Sequence, residues 1–286
     1  MASIAAHQLT DAVCEHGEGP AWSDRWAGPR FVDMLRGDVL ELAANGSVAR
    51  RHVGSVAALT RARRRGGWIA LTRHAVLFAD SDSLDAPLTE GPRLWADPTV
   101  RANEGGCDPA GALHAGSMAW DASPGRGSLM RMDPMGLVTE ELADLTISNG
   151  LAWTAEGSRA FYVDSATGTI DVFDWTAKDG LSSRRTWAHV EGGGADGLAL
   201  DTDGGVWVAI FGAGAVHRYD RQGRLADVVE LPIRQPTALA FTGAHRERLI
   251  VTTSRHGLAD PELSAGAVYE LVGHGVRGVP TYDFGG

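Results

Sequence analysis

One short segment recurs six times along this chain: Gly37-Asp-Val-Leu-Glu-Leu, His74-Ala-Val-Leu-Phe-Ala, Gly127-Ser-Leu-Met-Arg-Met, Gly168-Thr-Ile-Asp-Val-Phe, Gly214-Ala-Val-His-Arg-Tyr and Gly266-Ala-Val-Tyr-Glu-Leu. Its starts lie 37 to 53 residues apart. Short strands repeating at this period are the mark of β-propeller blades, units too small to bury their apolar faces except against one another. Six copies predict an all-β, six-bladed β-propeller around a central channel, with residues 1–286 forming a single domain. The 37 glycines suit many tight turns, and period-two alternation outweighs any helical period. Residues 5–14 precede the first inner strand. They are expected to pair as the outer strand of blade six, closing the ring and covering two edges.

Charge and composition exclude several classes of partner. A formal net charge of −10 opposes nucleic-acid binding, which draws on clustered Lys and Arg. The one basic run, Arg61-Ala-Arg-Arg-Arg65, precedes Gly66-Gly67 and is read as a solvated hairpin turn. No run approaches the roughly 18 apolar residues of a membrane span, and the N-terminus lacks a secretory signal pattern, so a cytoplasmic protein without a membrane partner is expected. Cys14 and Cys107 show no metal-ligand spacing and are expected to be reduced thiols.

Each repeat also opens in a recognisable way, with a polar residue ahead of a small-apolar alternating strand. Glu18-Gly-Pro-Ala-Trp, Asn103-Glu-Gly-Gly-Cys, Asn149-Gly-Leu-Ala-Trp and Asp196-Gly-Leu-Ala-Leu are the four copies with an acid or amide in that place. Blade two, near Val56-Ala-Ala-Leu, and blade six, from Thr237, carry small or apolar residues there. Equivalent residues of inner strands meet at one mouth of a propeller channel, so Glu18, Asn103, Asn149 and Asp196 should ring one spot. Two carboxylates and two amides form an oxygen-only set suited to a hard divalent cation. Without a cation the carboxylates would repel, and one would keep its proton. An Asx turn before glycine explains Asn149 or Asp196 singly, but it does not explain Glu18 at the equivalent place.

The same residues carry a resemblance. Glu18-Gly-Pro-Ala-Trp, Phe31-Val-Asp, Arg101-Ala-Asn103-Glu-Gly-Gly-Cys-Asp-Pro-Ala-Gly111, Ala115-Gly-Ser-Met118, Ser148-Asn-Gly-Leu-Ala-Trp, Phe161-Tyr-Val-Asp-Ser165, Asp196-Gly-Leu-Ala-Leu-Asp and Gly204-Gly-Val-Trp-Val-Ala follow one another in an order and spacing that resembles the senescence marker protein (regucalcin)/gluconolactonase/luciferin-regenerating enzyme family of six-bladed propellers. The resemblance implies one divalent metal ion (Ca, Zn, Mg or Mn) held by Glu18, Asn149 and Asp196, with Arg101 and Asn103 binding substrate oxygens. It places Asp121 where lactone-acting members carry a Glu that contacts sugar hydroxyls. The implied activity is metal-dependent hydrolysis of a small-molecule lactone, a sugar or small aliphatic lactone, to the hydroxy acid, with Asp196 as general base.

Two alternatives stay open. A propeller phosphotriesterase or fluorophosphatase uses a similar Glu/Asn/Asn/Asp oxygen site, and a non-catalytic metal- and ligand-binding propeller shares the fold. Other chemistries find no support: there is no Gly-x-Ser-x-Gly elbow and no His-x-x-x-His pair, and Gly212-Ala-Gly-Ala-Val-His reads as a hairpin turn. His256, in a loop between the last two strand pairs, reads as an ordinary loop histidine, with lining of the site's mouth as the alternative. Trp22, Trp153 and Trp207 read as packing residues between blades. Substrate choice is expected to lie in the loops around 98–106 and 119–127.

Overall fold

The computed structural model describes residues 4–286 as six four-stranded antiparallel sheets, each a consecutive meander except the last. The innermost strands are Gly17–Ala21, Ala57–Ala62, Val100–Cys107, Ser148–Trp153, Gly194–Leu200 and Pro236–Thr242. Each packs against the next, and the sixth returns to the first, so they enclose a central channel. This is the expected six-bladed propeller. The recurrent segment forms the third strand of every blade, from Asp38–Leu42 to Tyr269–Val272.

Why that segment so often starts with glycine is visible at Gly37. Its φ is +70°, a left-handed conformation that side chains resist, and a Cβ there would strike the Gly54 carbonyl oxygen. The turn into the third strand therefore closes only without a side chain.

Blade six is completed from the other end of the chain. Strand Ala5–Gln8 pairs antiparallel with Tyr269–Val272, from Ala5 opposite Val272 to Gln8 opposite Tyr269. Beyond it, Leu9 N donates to Val268 O at 2.8 Å, and Cys14 N to Gly266 O at 3.0 Å. The expected ring closure is present.

The apolar core lies between blades, where flat sheet faces meet. Trp68, Trp207, Phe31, Tyr162 and Tyr269 are fully buried there. Trp153 and Trp207 are core residues, as expected, but Trp22 is only half-buried and donates its indole N–H to Asp24 at 2.9 Å. It lies past the end of its strand and holds a turn. Cys14 and Cys107 are both buried free thiols; desolvation pushes the Cys107 thiol up to about 12, which makes it inert. Gly212 and Gly214 sit in a hairpin between Val206–Phe211 and Ala215–Tyr219, as read.

The far end of the channel is covered by the C-terminal segment. Val279 N donates to Leu200 O, Phe284 N to Ala62 O and Gly285 N to Gly111 O, each at 2.8–2.9 Å. The Tyr282 hydroxyl reaches the Thr154 and Ala155 carbonyls at 3.1 and 3.0 Å. Four blades are tied in this way, which leaves the opposite mouth for ligands. Among the described residues no helix is long and apolar enough to cross a membrane.

Candidate functional site

All six inner strands break register at the same level: between Glu18 and Ala21, Ala57 and Leu59, Ala102 and Gly105, Ser148 and Leu151, Ala195 and Leu198, and Pro236 and Leu239. A bulge unpairs the backbone and re-aims side chains. Here it does so at the level of Glu18, Asn103, Asn149 and Asp196.

Two buried aspartates fix the start of the strands that carry Glu18 and Asn149. The Asp33 carboxylate accepts from the Glu15 and His16 amides at 3.1 Å. That of Asp164 accepts from Thr146 and Ile147 at 2.9 Å. Each closes a second strand, Arg30–Asp33 or Arg159–Asp164, so the Phe-Val-Asp and Tyr-Val-Asp motifs lock the approach to the site.

The four expected oxygen-bearing side chains are buried. Asn103 Nδ2 donates to Asn149 Oδ1 at 3.1 Å and to Ser148 O at 3.0 Å. Asn149 Nδ2 donates to Ser165 Oγ at 2.8 Å, which orients its amide. Arg101 Nη1 donates to Asn103 Oδ1 at 2.6 Å and to Ala102 O at 3.0 Å, with Met34 Sδ also at 3.0 Å.

Burial, followed by the charges of Glu18 and Glu104, holds the Asp196 carboxyl well above the usual carboxylate range, against the pull of Arg101. Glu18 is raised in the same way by burial and then by Glu104. Burial lowers the Arg101 guanidinium to about 10, opposed by Glu18 and Asp196. The sixth expected residue stands apart: Asp121 is an exposed turn residue whose Oδ1 accepts from the Ser123 amide at 3.0 Å. Thr237, the blade-six counterpart, uses its hydroxyl on Gly17 O at 2.6 Å.

Three further groups enter the site. Glu104, adjacent to Asn103, is buried, and desolvation raises its carboxyl to about 7 despite Arg61. Arg61 corrects the reading of the basic run. It belongs to inner strand Ala57–Ala62 and donates from Nη2 to Gly105 O at 2.8 Å; only Arg64 and Arg65 form an exposed tip. The side chain of Arg61 crosses toward the channel interior because its strand does.

His16 binds Ser254 Oγ through Nδ1 at 2.7 Å and places Nε2 3.7 Å from Glu18 Oε1. Burial, then Arg101 and His256, hold it down to about 3, so it is a neutral imidazole. His256 is more than a bland loop residue in position: its ring lies 5.9 Å from that of His16, and Nδ1 is 3.8 Å from Glu15 Oε1. The signal for His16 was present in the chain, since alternation puts residues 16 and 18 on one face.

Do these residues suit a cation? Among the described residues, no three His, Cys, Asp or Glu side chains form a metal-holding group. The expected set needs only two carboxylates and draws its remaining oxygen from an amide. Asp196 Oδ1 and Glu104 Oε2 are buried without hydrogen-bond partners, an expensive condition that a cation would relieve. The donor set is all oxygen, with Asn149 held in one orientation. It fits a hard divalent ion.

Comparison with known proteins shows the family of the chain. Regucalcin of the rabbit, Oryctolagus cuniculus, is 31% identical over 306 residues, covering 100% of both chains. The structure titled a calcium-binding protein, regucalcin, from Agrobacterium tumefaciens matches with a TM-score of 0.89 and 27% identity over 99% of this chain and 98% of that one. A luciferin-regenerating enzyme structure gives a TM-score of 0.90 and 25% identity over 99% and 100%. Residues 16–255 match the family model described as SMP-30/Gluconolactonase/LRE-like region. With that match spanning every inner strand that supplies the site, the chain belongs to the SMP-30/gluconolactonase/LRE-like family.

Proposed function

We propose that this chain is a metal-dependent lactonase that opens a small-molecule lactone to its hydroxy acid. The observation that supports it most is the meeting, at one channel mouth, of two mutually repelling buried carboxylates and a guanidinium already oriented by a neighbouring amide. Glu18, Asn149 and Asp196 would hold one divalent cation. The Agrobacterium relative is titled calcium-binding, so Ca²⁺ is the first ion to test, ahead of Zn²⁺, Mg²⁺ and Mn²⁺. When bound, such an ion supplies Lewis-acid polarisation of the ester carbonyl and stabilises the developing oxyanion.

The chain's own residues supply the rest. Arg101 and Asn103 bind substrate oxygens; Arg101 is anchored through Nη1, which leaves Nη2 and Nε to the ligand. Asp196 accepts a proton as water adds to the carbonyl carbon. The ring C–O bond then breaks, the leaving oxygen takes up a proton, and one water has been added overall.

The test is a pH-indicator assay of metal-stripped protein on γ- and δ-lactones, adding back one divalent cation at a time. Cation-dependent acid release supports the reading. Cation binding without turnover of any lactone overturns it, and turnover of a phosphotriester alone reassigns the site to P=O chemistry. Asp196→Asn tests the base: a metal-replete, active variant removes that role.

A further inference from the structure

We infer that Trp120 is the apolar wall of the substrate site, and that the lactone this chain takes carries an aliphatic or aromatic substituent in place of a set of hydroxyls. The inference rests on the lactonase reading and names the substrate class of the same site. Trp120 leaves 48% of its surface exposed, an unusual condition for an indole that nothing in the fold requires. It follows strand Leu113–Ala119 directly, its amide donating to Thr99 O at 3.1 Å. Arg101 lies opposite Met118 in the same ladder, so both side chains stand at one end of the blade.

The Arg101 and Arg73 guanidinium carbons each lie 5.5 Å from the Trp120 ring centroid, within cation–π range. Arg101 is the guanidinium that Asn103 orients, and Arg73 is itself anchored on the Pro98 carbonyl. Two fixed cations therefore hold the indole beside the group assigned to substrate oxygens.

Several of the polar groups around it are already engaged. A hollow of about 370 Å³ opens next to the indole, walled by Thr99, Ala119, Trp120, Asp121, Ser123 and Arg126. Asp121 Oδ1 accepts from the Ser123 amide at 3.0 Å, and Arg126 Nη2 donates to Asp97 Oδ2 at 2.9 Å and to Thr99 Oγ1 at 3.3 Å. The apolar part of its wall is the Trp120 indole and the Ala119 methyl. An alkyl or phenyl group gains by covering the indole face, which offers a hydroxyl no partner in place of water.

Wild type, Trp120→Ala and Trp120→Phe are compared by kcat/KM on γ-butyrolactone and δ-valerolactone, their alkyl- and phenyl-substituted forms, and a polyhydroxylated sugar lactone. Wild type should favour the substituted lactones. Trp120→Ala should lose about tenfold more on these than on the unsubstituted rings, chiefly through KM, and Trp120→Phe should retain most of the preference. Preference of wild type for the sugar lactone, or an equal loss on substituted and unsubstituted rings, overturns this inference and leaves the lactonase reading standing. Absence of turnover on every lactone overturns both.

Discussion

Glu104 shows how much a single residue alters the site. Strand alternation would send it away from Asn103, yet the bulge between Ala102 and Gly105 leaves both buried at the channel. Repeat equivalence therefore exposes Glu18, Asn149 and Asp196 in the chain but hides Glu104. Its carboxyl, ordinarily near 4.5, is raised to about 7 by burial. A folded-state value above the unfolded one means that the unfolded chain loses the proton first. The associated stability is complete below about pH 4.5 and declines as pH rises toward 7. Chelator-treated protein should therefore show a melting temperature that falls across this window, and Glu104→Gln should flatten the fall. A melting curve unchanged between the two proteins at both pH values refutes the assignment. Added Ca²⁺ should raise the melting temperature more at pH 7 than at pH 4.5, because protons and cation compete for Glu18 and Asp196.

Among the elements, the second strands matter more than their distance from the chemistry suggests. Asp164 ends one of them and binds the two amides that lead into the Asn149 strand. Asp164→Ala leaves those amides unpaired and should cost about 2–3 kcal/mol by denaturant titration. It should also weaken cation affinity, since Asn149 loses its fixed approach; unchanged affinity would make Asp164 a stability residue only. The turn into the third strand is equally exacting: Gly37→Ala meets both the positive φ and the Gly54 carbonyl, and a loss of about 2 kcal/mol or more is expected. The motifs Phe31-Val-Asp33 and Tyr162-Val-Asp164 are visible in the chain, but their hydrogen bonds run to the preceding blade's exit and appear only when the sheets are assembled.

For the molecule as a whole, both termini act as fasteners. The N-terminal strand completes blade six, a pairing predictable because a propeller with three strands in its last blade leaves edges open. The C-terminal cover has no such signature, since residues 277–285 bind through scattered backbone bonds and the Tyr282 hydroxyl, spread over five blades. Phe284 is 1% exposed within the core shared by blades one to three. Phe284→Ala should cost about 3–5 kcal/mol and lower the melting temperature by about 5–15 °C. Turnover of the best lactone below that temperature should change little, because the cover lies at the end of the channel away from Arg101 and Glu18; a large loss would show that the two ends are coupled.

The repeat by itself determined the number of blades, the strand that closes them and the ring formed by Glu18, Asn103, Asn149 and Asp196, because these follow from local period and alternation that every copy of the segment carries. Tertiary structure alone decided that Glu104, Arg61 and His16 join that ring, that Asp121 turns away while Trp120 stands over Arg101, and that the tail shuts one end. Those outcomes depend on bulge register and on contacts between segments remote in the chain, which no single repeat encodes.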